Sequence, residues 1–273
     1  MPVTRRPVVI SAQSVTEGAA SIVLSNVSIV NACLDDLLTQ DELSIQALQS
    51  YYVDYFQAQV DNGGFTQFVY NSRASDTVAQ LVHDGLAAMG AQLHVSAFDE
   101  GARLLKEAGR RGRDALLATD YGSSSRLRTR LAKLSPTFDR ARAAENLTEL
   151  NARWLLADPD VVVLPRDQIE AHIAASVATI PDIDDRRRRR ATARAANVPR
   201  YERGIRALCD HLGWRFDRIT VGDPTFLYLG ELTIAWYFLS SRGLTCMIEH
   251  DGQAIAVDDS TGAELGRIPY PNE

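Results

Sequence analysis

Cysteine is scarce in this chain of 273 residues: Cys33, Cys209 and Cys246 are odd in number and far apart, which excludes a disulfide framework and fits reduced thiols. No apolar run approaches the roughly 20 residues of a membrane span. The opening MPVTRRPVVISAQSVTEG has too short an apolar patch and too many breaks for a signal peptide, so a cytoplasmic protein with no membrane partner is expected. The five histidines, His83, His94, His172, His211 and His250, never approach a second histidine at metal-ligand spacing. Cys209 and His211 stand two apart on a helical stretch and point to nearly opposite sides, so they would not share one metal. There is no Walker loop, no Gly-x-Ser-x-Gly elbow, no dinucleotide fingerprint and no His-Glu-x-x-His. No catalytic residue, metal or cofactor is therefore expected. An enzyme with an unrecognised site is kept as an alternative, and Asp258-Asp259 beside a glycine turn is the only carboxylate pair noted for it.

Positive charge is also scarce at the start. The first hundred residues hold 11 carboxylates against Arg5, Arg6 and Arg73, a net of −8 inside an overall charge of −6. Residues 101–160 carry 12 basic and 8 acidic groups, a net of +4, and the remainder carries −2. An acidic segment attracts basic partners over a Debye length of about 8–10 Å. The candidate partner face consists of Asp35, Asp36, Asp41, Glu42, Asp54 and Asp61, with Asp54 and Asp61 off the apolar stripe of their helix. Arg126 to Lys133 and Arg186 to Arg190 support an alternative, a nucleic-acid-associated protein. Five adjacent arginines point all around a helix, however, and no base-stacking aromatics accompany them.

The most distinctive pattern is Tyr51 to Ser72, YYVDYFQAQVDNGGFTQFVYNS. Thr39-Gln40-Asp41-Glu42 fits a capping box, which predicts a helix from near Gln40. Ile45, Leu48, Tyr52, Tyr55 or Phe56, and Gln59 recur at steps of three and four as its buried stripe. Asn62, Gly63 and Gly64 supply the backbone freedom that stops a helix, and Phe65 restarts the apolar pattern. A helix-turn-helix corner with Phe65 and Phe68 as core plugs follows. Asn62, Gly63, Gly64, Phe65, Gln67 and Asn71 are the motif residues, read as structural, with ligand binding by the amides as the alternative.

The run NGGFTQFVYNS, the helix ending at Gly90-Ala91, Leu134, Phe138 and the Leu147 to Leu156 helix together resemble the helical domain of the bacterial DNA-mimic protein family, over about residues 35–163. The resemblance implies an all-helical bundle and brings no catalytic residues. It also implies a non-enzymatic interaction protein that imitates DNA phosphate charge, with a basic protein such as a transcription regulator as partner and a homodimer as its assembly.

Along the chain, residues 1–14 read as a loose tail and 15–160 as the helical domain, beginning with a helix from Thr16 to Leu38. Ser75-Asp76 caps a helix that ends at Gly90, and another ends near Gly109. Arg110 to Ser125 reads as loop, Arg126 to Lys133 as a basic helix, and Ser135-Pro136 as a cap with proline in the first turn. Asp158-Pro159-Asp160 breaks the chain, and a boundary is placed there. Val161 to Leu164 is then strand or extended connector, Pro165 to Ile180 is helical, and 161–273 forms a smaller α+β domain. Tyr201 to Leu212 is an amphipathic helix stopped by Gly213. Beyond it the period changes to two, over Phe216 to Val221, Phe226 to Leu229, Leu232 to Leu239, Thr245 to His250 and Ala254 to Val257. Glu231 to Leu239 could also be a buried helix, and Gly222-Asp223-Pro224-Thr225 reads as a turn. Asp251-Gly252 is a type I′ hairpin signal and Ser260-Thr261-Gly262 a further turn. The fold class is α+β: an N-terminal helical bundle followed by helices and an antiparallel sheet.

Overall fold

A computed structural model describes residues 5–118 and 125–271 and divides the chain into two compact units, Met1–Ile183 and Asp184–Glu273. The first unit opens with strand β1 (Val9–Ser11), helix α1 (Ala12–Glu17) and helix α2 (Ala19–Asp35). Val8, Val9 and Ile10 are buried, so this stretch is not a loose tail. A run of three apolar residues without alternation needs cover on both faces; this one packs in a core with residues of α2, while β1 pairs in parallel with β2 (Val162–Leu164) along its edge. The helix expected from Thr16 is two helices, broken at Gly18 with φ 107°.

The capping box forms, with Glu42 Oε2 accepting the Thr39 N–H at 2.8 Å, but it starts only a single 3-10 turn at Gln40–Glu42. Leu43 is extended and buried, and Ser44 caps the true helix, α3 (Ile45–Asn71), by accepting the Gln46 N–H at 3.1 Å. The buried stripe is correspondingly rotated: Ala47, Leu48, Val53 and Phe56 face inward, whereas Ile45 is exposed. Helices α4 (Asp76–Ala88), α5 (Gln92–Leu117), α6 (Arg126–Ala132), α7 (Ser135–Ala144) and α8 (Leu147–Leu156) complete the bundle. Within α5 the helix kinks at Gly109 (φ 63°, ψ −174°) and resumes through Leu117, so residues 110–117 are helical rather than loop. Residues 119–124 of the expected loop lie outside the described residues, and Ser125 caps α6.

Five phenylalanines, Phe56, Phe65, Phe68, Phe98 and Phe138, make the centre of this bundle, with Phe65 and Phe138 stacked at 5.6 Å between centroids. Glycines allow the close approach of neighbouring helices there: a Cβ on Gly85 would meet Val53 at 2.8 Å, and one on Gly101 would meet the Phe65 ring at 2.4 Å. A second core gathers Ile22, Val23 and Val30 of α2 with Ile173, Val177 and Ile180. Ile173 and Val177 lie on α9 (Arg166–Ala178), which is why the first unit runs past residue 160 to Ile183.

Helix α10 (Ile183–Ala196) leads into the second unit, where α11 (Arg200–Leu212) packs on a five-stranded antiparallel meander. Its strands are β3 (Phe216–Tyr228), β4 (Glu231–Ser240), β5 (Gly243–His250), β6 (Gln253–Val257) and β7 (Glu264–Pro269), paired in chain order. Ile205, Leu208 and Cys209 of α11 meet Phe238, Met247, Ala254 and Ala256 on one face of the sheet. Ala235, Cys246, Ile248, Ile255 and Val257 form the opposite face, with Phe226, Tyr228 and Tyr237 packed against it. The Glu231 to Leu239 segment is a strand. The expected turn at Gly222 to Thr225 is instead an irregularity inside β3, where the register shifts between Asp223 and Phe226. Pro224 has no N–H for the ladder, and Asp223 Oδ1 accepts the Thr225 N–H at 2.8 Å, so a bulge accommodates the proline without ending the strand. Asp251 and Gly252, with φ of 51° and 70°, form the type I′ hairpin turn.

Candidate functional site

At the NGGF corner the first segment of α3 ends on Asn62. Gly63 takes φ −153° and ψ 23°, Gly64 takes φ 72° and ψ −176°, and the helix restarts at Phe65. A Cβ on Gly64 would meet nothing nearer than Ser135 Oγ at 3.5 Å, so glycine is required there for its backbone conformation and not for space. Phe65 is 1% exposed. Gln59, one turn before the break, accepts from Gln67 Nε2 at 3.1 Å and Asn71 Nδ2 at 2.5 Å, which ties the two helical segments together. Gln67 and Asn71 thus hold the corner, while Asn62 is exposed.

Behind the corner lies a cavity of about 250 Å³, lined by Phe56, Val60, Asp61, His94, Arg142 and Glu145 among others. Glu145 closes α7 and caps α5 from outside, accepting the Leu93 N–H at 2.9 Å and the His94 N–H at 3.3 Å. Its Oε2 also lies 2.9 Å from His94 Nδ1. Burial alone would raise the Glu145 carboxyl, but the bonds from the Leu93 amide, the His94 ring and the His94 amide outweigh it and hold the group below its ordinary value. Arg142 joins Asp61 at 2.7 Å and also Asp139. The cavity therefore contains no nucleophile and base pair: Glu145 is taken up by amides and His94, and Asp61 by a guanidinium. Its volume is also below the roughly 300–1,000 Å³ of ordinary ligand pockets. His94 and Glu145 escaped sequence reading because they meet across 51 positions with no local motif.

The six acidic residues are not placed alike. Asp35, Asp36 and Asp41 are exposed and Glu42 is half-buried; Asp35 ends α2 and the other three follow in the connection to α3. Asp54 is half-buried, and burial pushes its carboxyl above its ordinary value. Asp61 lies about 24 Å along α3 from Ile45 and is paired with Arg142. The basic segments are engaged too. Arg130 meets Glu107 at 2.5 Å, Arg187 meets Asp184 at 3.1 Å, and Arg188 meets Asp185. Arg186, Arg189 and Arg190 also have interactions of their own.

In the second unit, Asp258 Oδ1 accepts the Ser260 and Thr261 amides at 3.1 and 3.0 Å and so holds the turn, while burial first and then Asp259 push the Tyr237 phenol up to about 12. These two carboxylates serve separate structural contacts. Burial pushes each of the three thiols, Cys33, Cys209 and Cys246, up to about 11. Among the described residues no group of three or more His, Cys, Asp or Glu could hold a metal ion, and no helix is long and apolar enough to cross a membrane.

Taken together, these features define an α+β protein whose most distinctive element is a kinked helical bundle with an acidic connection at one end. Residues 41–158, from the 3-10 turn to just beyond α8, match the model of the family described as DMP19-like protein, the DNA-mimic family that the NGGF run resembles. No curated protein matches the chain, and no solved structure does.

Proposed function

We propose that this chain is a non-enzymatic interaction protein that binds a basic protein, such as a DNA-binding regulator, through the acidic connection formed by Asp35, Asp36, Asp41 and Glu42. The observation that carries the reading is the match of residues 41–158 to a DNA-mimic family, beside which these carboxylates cluster. Asp54 and Asp61, farther along α3, contribute less, one being half-buried and the other paired. Duplex DNA carries about one charge per 1.7 Å of axis, roughly 14 over the 24 Å from Ile45 to Asp61. The four carboxylates imitate a few phosphates rather than a length of duplex. A homodimer would present them twice.

The test is an affinity pull-down with the full chain and with Asp35→Lys/Asp36→Lys/Asp41→Lys, at rising salt. The expected outcome is recovery of basic proteins by the parent chain, falling with salt and absent from the variant. Recovery of acidic partners, or an unchanged set from the variant, would overturn the reading.

A further inference from the structure

Outside the family-matched segment, α1, α2 and α9 enclose an open groove of about 660 Å³. Its floor includes Ile29 and Ile173, both buried, and its walls carry Leu24 and Ile169. Leu24 is 58% exposed although it lies in the middle of α2, with its side chain at the groove. Among the described lining residues the acidic ones are Glu17 at the end of α1, Asp36 just past α2 and Glu170 on α9, and the basic one is Arg166. From Ser21 to Asp36 the groove follows α2 for roughly 22 Å, the length of a four-turn helix. Ser11, a strand residue at the groove, gives its N–H to Ser25 Oγ at 2.9 Å, so its main-chain donor is not left to pair with an incoming strand.

We propose that this groove binds an amphipathic helix of a partner protein, with apolar residues at helical spacing over Leu24 and Ile169 and basic residues against Glu17, Asp36 and Glu170. The charge of the rim selects the occupant, because three carboxylates and one guanidinium favour a cationic helix over a neutral or anionic one. The proposal rests on the reading above and deepens it: Asp36 belongs to both surfaces, so a basic partner held at the acidic connection would lay a helix along the adjoining groove.

The test uses the full chain and three synthetic peptides of about 18 residues, long enough for the groove. One is a leucine and lysine amphipathic helix, the second has the same composition scrambled, and the third carries glutamate for lysine. Binding is read by fluorescence anisotropy. The amphipathic basic peptide should bind, and the other two at least tenfold more weakly. Leu24→Gln, at an exposed position and with an unchanged thermal midpoint, should weaken that binding about tenfold, which is about 1.4 kcal/mol. Glu170→Lys should weaken it and flatten its salt dependence. Equal binding of the scrambled peptide, or no effect of Leu24→Gln, overturns the groove. If Asp41→Lys weakens the peptide while Leu24→Gln does not, the acidic connection stands and the groove falls. If Leu24→Gln acts and Asp41→Lys does not, the groove stands without the connection. Self-association of the parent chain that Leu24→Gln abolishes would make the occupant a second copy and overturn the proposal.

Discussion

Gly101 sits where two physical effects predict opposite signs. In a helix interior alanine is favoured over glycine by about 1 kcal/mol, so propensity alone predicts that Gly101→Ala stabilises the protein. Packing predicts the reverse. The added Cβ would lie 2.4, 2.5 and 2.8 Å from three carbons of the Phe65 ring, where carbon atoms in good contact stand about 3.5–4.0 Å apart. The ring has little freedom to slide away, because Phe56, Phe68, Phe98 and Phe138 surround it at centroid distances of 6.4, 5.7, 5.6 and 5.6 Å. Overpacking of a filled core costs about 1–3 kcal/mol; less the propensity gain of about 1 kcal/mol the net loss is about 0–2 kcal/mol, and so close an approach to a ring held on all sides puts it toward the upper end. Urea unfolding followed by circular dichroism should show a lower midpoint at an unchanged slope. Phe65→Leu removes the clashing ring, so in the double variant the Gly101→Ala loss should shrink by more than the roughly 0.5 kcal/mol within which independent sites add. A stabilised Gly101→Ala variant, or a strictly additive pair, would refute the packing argument.

Three further outcomes are expected. Gly64→Ala places a side chain in a backbone region that only glycine occupies readily, with φ 72° and ψ −176°, and should lower stability by about 1–3 kcal/mol; an unchanged urea midpoint would contradict it. Leu229 and Gly230 take φ of 51° and 86° at the β3–β4 turn, and Leu229 is 78% exposed, so Leu229→Asn should stabilise by about 1 kcal/mol in the same assay without loss of packing. The depressed Glu145 carboxyl contributes stability that is complete above its unfolded-state value of about 4.3 and is lost as pH falls through the lower folded value. Glu145→Gln should therefore flatten the fall of thermal midpoint below about pH 5, and an acid limb that overlays the parent's would count against the capping role.

Features written locally in the chain were legible in the sequence. The NGG break, the Ser75 cap, the Asp251-Gly252 hairpin and the change of period from helix to strand each arise within a few residues, and each forms. What was not legible depends on distant partners. Val8 to Ile10 became core through packing on α2 and through the strand Val162 to Leu164, a pairing across more than 150 positions. The helix start moved from Gln40 to Ile45 because burial of Leu43 in an extended conformation separates a weak cap at Thr39 from a second one at Ser44. Asp223-Pro224 looked like a turn because both residues favour one, yet the ladder to β4 continues beyond it on the strength of Phe226, Leu227 and Tyr228. The cavity's His94 and Glu145 have no sequence signal for the same reason: the contact exists only once α5 and α7 are packed.

Charge shows the same limit, and it bears directly on function. A net of −8 over the first hundred residues suggests a broad negative surface, but the basic segment after residue 100 folds back onto it. Arg142 reaches Asp61 at 2.7 Å and Arg113 reaches Asp76 at 3.3 Å. Exposed pairs of this kind contribute little to stability, about 0–1 kcal/mol each, but they cancel field at a distance. The carboxylates of Asp35, Asp36 and Asp41, just before α3, are exposed at the end of the bundle next to the groove whose rim is acidic as well. A partner steered by charge would therefore be drawn to that end rather than along the whole of α3, which is why the charge reversals belong at Asp35, Asp36 and Asp41 and not at Asp61.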